Sequence, residues 1–107
     1  MLYRKITSEE AKNIIDSDKN VLLLDVRNYE EYEKAHIRGA LLLPLNELLG
    51  EAHKYLKNKD QLIMIYCEKG VRSKIAFYFL HFLAYKNLYD IGGLSEWPYE
   101  LDDMEEK

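Results

Sequence analysis

Three short, almost wholly apolar runs constrain this chain most: Val21–Leu24, Leu41–Leu43 and Gln61–Tyr66. Each is too short for an ordinary helix, and none alternates with polar residues as a half-exposed strand would. Such runs suit strands covered on both faces, the situation of a parallel sheet. Between them the spacing turns helical. Thr7-Ser8-Glu9-Glu10 reads as a capping box that opens a helix through about Asp16, with Ala11, Ile14 and Ile15 on its buried face. Asp25 ends the first strand, and a polar turn leads to a short charged helix from about Tyr29 to Lys34. Gly39 and Ala40 precede the second strand, which Pro44 stops. Leu45, Leu48, Leu49, Ala52, Tyr55 and Leu56 then recur at helical spacing. Ser73 to Tyr85 predicts another helix, with Ile75, Ala76, Phe79, Leu80, Phe82 and Leu83 turned mostly inward. Asn87 to Ile91 reads as a last strand, broken by Gly92-Gly93. A final helix is expected near Leu94, with Trp97 in the core and Pro98 tolerated in the first turn. Strands alternating with helices predict an α/β sandwich around a mostly parallel sheet.

At 107 residues the chain predicts one domain over 1–107, and a hydrophobic share of 48% argues against disorder. The net charge is −4, and the end of the chain, Leu101–Lys107, is acidic, so no basic face for nucleic acid is expected. One cysteine cannot form an internal disulfide, so an oxidising compartment would add nothing. Met1–Glu10 has no apolar signal core, and the longest apolar stretch, Ile75–Leu83, is interrupted by His81 and falls short of the ~20 residues that span a bilayer. These features predict a cytoplasmic protein without a membrane partner. His53 and His81 have no companions at ligand spacing, so no metal site is expected.

A lone cysteine is usually a small apolar core residue. Cys67 differs in three ways. It ends its apolar run, where a strand should surface. Charged residues follow it, in Cys67-Glu68-Lys69-Gly70-Val71-Arg72-Ser73. Gly70 lets the backbone turn sharply or approach a ligand closely. A thiol at a strand's carboxyl end, under the N–H groups of a helix start, sits where an anion is favoured, so thiolate is favoured over thiol. Lys69 and Arg72 add positive charge nearby. Open parallel sheets bind ligands beyond the carboxyl ends of their strands, and Asp25 and Cys67 both occupy such ends, so they are expected to face one crevice.

The chain resembles the rhodaneses, a sulfurtransferase family. Asp25-Val26-Arg27, then Glu30-Glu31-Tyr32 and His36-Ile37-Arg38-Gly39-Ala40, resemble the family's amino-terminal signature. Cys67 to Ser73 resembles its active-site loop, and Gly92-Gly93 followed by Trp97 resembles its ending. The resemblance implies a three-layer sandwich with a central, mostly parallel sheet of about five strands. It also implies a sulfurtransferase that needs no cofactor. Cys67 would take the outer sulfur of thiosulfate as a persulfide and pass it to cyanide or to a small or protein thiol. Backbone N–H groups from Glu68 to Ser73 would hold the charge on the sulfur. Lys69 and Arg72 would bind the dianionic donor. Glu68 departs from the usual pattern, and its carboxylate predicts a high Michaelis constant for thiosulfate. Asp25, Arg27 and Arg38 would support the crevice, Arg27 by pairing with Glu30 or Glu31 and Arg38 at the pocket rim. His36 occupies a position that is usually structural in the family. Four residues separate Cys67 from Arg72, where phosphatases of related fold carry a longer loop, which tilts the reading from phosphoryl to sulfur chemistry. A phosphatase or arsenate reductase, and a redox or protein-binding module without catalysis, are the alternatives.

Overall fold

The strands lie where the apolar runs predict them. In a computed structural model that describes residues 3–104, β1 is Leu22–Asp25, β2 is Leu41–Leu42, β3 is Leu62–Cys67 and β4 is Asn87–Gly93. Residues 1 and 2 and the acidic end from residue 105 on lie outside the described residues. All pairs are parallel, in the order β2-β1-β3-β4. The sheet therefore has four strands rather than about five. The further edge carries only an isolated parallel bridge between Lys5 and Asp90. That segment exchanges two backbone bonds, Asp90 N–H to Arg4 and Ile6 N–H to Asp90, before the chain turns into a helix.

The helices are α1 (Ser8–Ser17), α2 (Tyr29–Lys34), α3 (Leu45–Tyr55) and α4 (Val71–Phe82). The capping box of α1 is complete: the Glu10 N–H donates to Thr7 Oγ1 at 3.0 Å, and the Thr7 N–H to Glu10 Oε1 at 2.9 Å. Asn28 and Glu31 form a second such box on α2. Side chains alternate across the sheet. Leu24, Ile63, Ile65 and Cys67 join a core with residues of α3 and α4, including Leu48, Ala52, Ala76, Phe77 and Leu80. Leu23, Met64 and Tyr66 join a second core with Ala11, Ile37, Leu94 and Trp97. None of the described helices is long and apolar enough to cross a membrane.

Three sequence expectations change. The paired glycines do not break β4 but complete it, with an extra residue, Ile91, between the partners of Ile65 and Tyr66. The final helix shrinks to one 3-10 turn, Leu94–Glu96, and Pro98 lies beyond it; Trp97 is nonetheless buried. On α4, Ile75 and Phe82 face outward, while Ser73, Ala76, Phe77 and Leu80 face the sheet. An apolar helix has no polar stripe to reveal which face is buried, and here the smaller residues Ser73 and Ala76 take the inner face.

Candidate active site

β3 delivers Cys67 as its last residue, and α4 begins at Val71. Gly70 makes the turn between them with a left-handed φ of 97°, which a side chain would resist. The turn folds the Gly70 N–H back onto Cys67 Sγ at 3.0 Å. The Cys67 thiol faces Ser73 Oγ at 3.5 Å, and the Ser73 hydroxyl donates to the Gly70 carbonyl at 3.2 Å. Only 1% of Cys67 is exposed, and it forms the floor of a cleft of about 270 Å³ walled by Glu68, Lys69, Val71 and Arg72. The first N–H groups of α4, from Val71 to Ser73, have no intrahelical acceptors, and with the helix dipole they attract an anion to this floor.

A second segment holds the loop from behind. A Cβ on Gly93 would stand 2.5 Å from the Glu68 carbonyl oxygen and 2.7 Å from Lys69 Cα, so the loop rests on β4 only because that position is glycine. The Ser95 N–H then donates to the Glu68 carbonyl at 3.2 Å. Gly92 adopts a φ of 85°, and its N–H donates to the buried Asp90 carboxylate at 2.8 Å.

The charged residues sort into pairs. Arg27 is buried and pairs not with Glu30 or Glu31 but with Asp25 and Glu68. Its Nη2 donates to Asp25 Oδ2 at 2.8 Å and to the Ala35 carbonyl at 2.6 Å, and its Nη1 to Glu68 Oε1 at 3.1 Å. The Arg27 backbone N–H also donates to Asp25 Oδ1, at 2.9 Å. This two-residue turn lays the guanidinium across the strand end, between Asp25, the Glu68 carboxylate and the carbonyl that ends α2. Burial opposes its charge, but the hydrogen bonds and charge of Asp25 outweigh that and hold its pKa above the ordinary arginine value. Glu31 reaches α4 instead. Arg72 grips it with two bonds, Nη1 to Oε1 at 2.8 Å and Nη2 to Oε2 at 2.9 Å. Those bonds first, and then the cap and the nearby guanidinium charges, pull the Glu31 carboxyl down to about 2 against the opposing cost of burial, and the same pair raises the pKa of Arg72. Lys69 stands exposed at the mouth of the cleft, without a carboxylate partner among the described residues.

Arg38 is not at the rim of this cleft. It pairs with Asp102 at 3.2 Å and lines a different hollow with Trp97 and Tyr99. An antiparallel bridge between His36 and Asp102 sets the segment around Asp102 alongside Arg38. His36 itself stacks on Tyr32 at 3.8 Å, with Nδ1 2.7 Å from the Tyr32 carbonyl, and makes no contact with the cysteine. The sequence names Glu31 and Gly93 but not what they do: the pairing of Glu31 with Arg72 and the seating of the cysteine loop on Gly93 are not foreseen. Asn28-x-x-Glu31 is fully explained as a helix cap, which hides its second partner. Gly92-Gly93 reads as a strand end, which hides the backbone contact.

The model of the rhodanese-like domain family matches residues 7–100. The thiosulfate sulfurtransferase GlpE of Coxiella burnetii is 30% identical over 98 residues, covering 91% of this chain and 89% of its own length. The putative sulfur carrier protein YrkF of Bacillus subtilis is 36% identical over 94 residues, covering 87% of this chain, which spans only 50% of that relative. Among solved structures, the rhodanese-like domain protein of Staphylococcus aureus superposes with a TM-score of 0.82 at 30% identity, over 94% of this chain and 97% of the other.

Proposed function

This chain belongs to the rhodanese-like domain family, and from that premise we propose that it is a sulfurtransferase that carries sulfane sulfur as a persulfide on Cys67. Relatives named thiosulfate sulfurtransferase and sulfur carrier support sulfur transfer as the chemistry, and thiosulfate as donor is the finer part of the proposal. One observation carries it most: Cys67 Sγ receives the Gly70 N–H at 3.0 Å on the floor of a cleft at the start of α4.

In the first step the Cys67 thiolate attacks the outer sulfur of thiosulfate. A Cys67 S–S bond forms, the S–S bond of thiosulfate breaks, and sulfite leaves with the electron pair. The negative persulfide then lies against the N–H groups of the loop, which stabilise it. In the second step an acceptor thiolate or cyanide takes the outer sulfur and Cys67 leaves as thiolate. Arg72 is largely committed to Glu31, so Lys69 is the cation best able to meet the incoming dianion, with Arg72 contributing charge from the wall. Arg27 answers the charge of Glu68, which reduces its repulsion of the donor. Arg27 supports the loop through that same pair, and Asp25 holds Arg27 in place for it.

Incubation with thiosulfate followed by intact mass spectrometry tests this reading. The wild type should gain one sulfur and Cys67→Ser none. Failure to gain sulfur from thiosulfate or from any other sulfane donor, together with turnover of an aryl phosphate, would replace sulfur transfer by phosphoryl chemistry.

A further inference from the structure

α4 carries more apolar surface than the fold uses. Its inner face is filled by Ser73, Ala76, Phe77 and Leu80. Its outer face presents Val71, Ile75, Tyr78 and Phe82, with Val71 70% and Phe82 82% exposed. These four follow one another at intervals of four, three and four residues, which sets them in one stripe about 16 Å long. The upper part of the stripe borders a groove of about 600 Å³ next to the loop, and this groove shares Lys69 and Val71 with the Cys67 cleft.

The charge beside the stripe is positive in a chain whose net charge is −4: Lys5, Lys69 and Lys74 line the groove. The only carboxylate among the groove's lining residues, Asp90, is buried and is spent on the Tyr3 hydroxyl and the Gly92 N–H. A thiosulfate anion is far too small to cover a stripe of this length. A second copy docked by two-fold symmetry would oppose these lysines to one another. Continuous apolar surface rimmed by charge marks a docking site, and this one runs to within one residue of the reactive loop's sulfur cradle.

We propose that the outer face of α4 and its lysine-lined groove dock the sulfur acceptor, a polypeptide whose cysteine is flanked by apolar and acidic residues. This rests on the sulfur-transfer reading above. The partner's apolar side chains cover Val71, Ile75 and Tyr78, and its carboxylates face Lys5 and Lys74. Its thiolate attacks the outer sulfur of the Cys67 persulfide; the persulfide S–S bond breaks, Cys67 leaves as thiolate, and the partner holds the sulfur as its own persulfide. No oxidant or reductant is consumed.

The test uses the whole chain, loaded with sulfur from thiosulfate or from inorganic polysulfide. Two synthetic peptides serve as acceptors, each with one cysteine among leucines, flanked in one by glutamates and in the other by lysines. Transfer is read by mass. The glutamate peptide should show a KM lower by about tenfold or more. Lys74→Glu combined with Ile75→Ser should remove that preference and leave transfer to free cysteine unchanged. Equal KM values for the two peptides, or a preference that survives the double variant, would overturn the proposal. A wild type that sediments as a dimer and becomes monomeric in the variant would also overturn it, because a second copy would then cover the stripe. A serine-for-cysteine glutamate peptide, titrated onto the unloaded protein by fluorescence anisotropy, separates the two readings. Binding there without transfer from loaded protein would count against sulfur transfer, whereas transfer to free thiols without peptide binding would count against the docking face alone.

Discussion

Two arginines from the same signature-like stretch, Arg27 and Arg38, both end in an ion pair with an aspartate, yet the two pairs are physically unlike. The Arg27–Asp25 pair has 2% and 0% of its side chains exposed, whereas in Arg38–Asp102 the figures are 79% and 37%. Arg27 spends its donors on Asp25, Glu68 and the Ala35 carbonyl, and so ties the end of β1 to the cysteine loop. Arg38 ties Asp102 to the segment after α2, and none of its bonds among the described residues goes to the cysteine loop. A charge pair shapes a site only where burial leaves each partner no alternative in water. On the surface, water replaces the partner at little cost.

The two pairs differ most in what the loss of the arginine should cost, and Arg27 carries the larger loss. Replacing it with alanine strands the Asp25 carboxylate in the core and should cost about 3–5 kcal/mol, read from urea unfolding. The Arg27→Ala, Asp25→Asn double variant should recover part of that loss, because no uncompensated charge then remains buried. If the double variant were as unstable as the two single losses added together, the pair would not be acting as a pair.

Gly93 tests the loop from the other side. Gly93→Ala forces the Glu68–Lys69 backbone away from β4 and should cost about 1–3 kcal/mol as an overpacked contact. Sulfur loading should fall much further than stability, since the loop that holds Cys67 is what moves. A thiosulfate loading rate near wild type would show that the loop absorbs the methyl group without losing its geometry.

Glu31–Arg72 lies between the two extremes, partly exposed and with two hydrogen bonds. The folded-state pKa of Glu31 is depressed to about 2, so its stabilisation is fully present above the ordinary carboxylate range. It is lost as the pH falls from about 4.5 toward about 2. Unfolding measured across that window should show the wild type's advantage over Glu31→Gln shrinking steadily as the solution is acidified. A constant difference would mean that the carboxylate's charge contributes nothing to holding Arg72.

Much of this arrangement is legible in the residues themselves. Parallel strands, the cap of α1 and the place of Cys67 follow from local pattern, because apolar runs, Thr7-x-x-Glu10 and a thiol at a strand end each act over a few residues. What the sequence does not disclose is long-range choice. Glu30 and Glu31 are the partners that sequence spacing offers Arg27, and only the turn at Val26 turns the guanidinium to Asp25 instead. Ile75 and Phe82 are as apolar as Phe77 and Leu80, so only packing against β3 and β4 decides which of them face water. Gly93 looks like a strand breaker until the loop after β3 is laid against it.

The smallest effect belongs to Arg38. Arg38→Ala removes a pair with no buried member, so the denaturation midpoint and the rate of sulfur loading should both stay at wild-type values within error. The same assay run in high salt sharpens the contrast. Screening should weaken the Arg38–Asp102 pair already in the wild type and leave the buried Arg27–Asp25 pair almost untouched. A loss of loading in Arg38→Ala would mean that the strap formed by His36 and Asp102 reaches the cleft through α2, since Ala35 accepts a bond from Arg27 one residue before that bridge. The two arginines would then belong to one network, and the separation between site and surface drawn above would fail at that point.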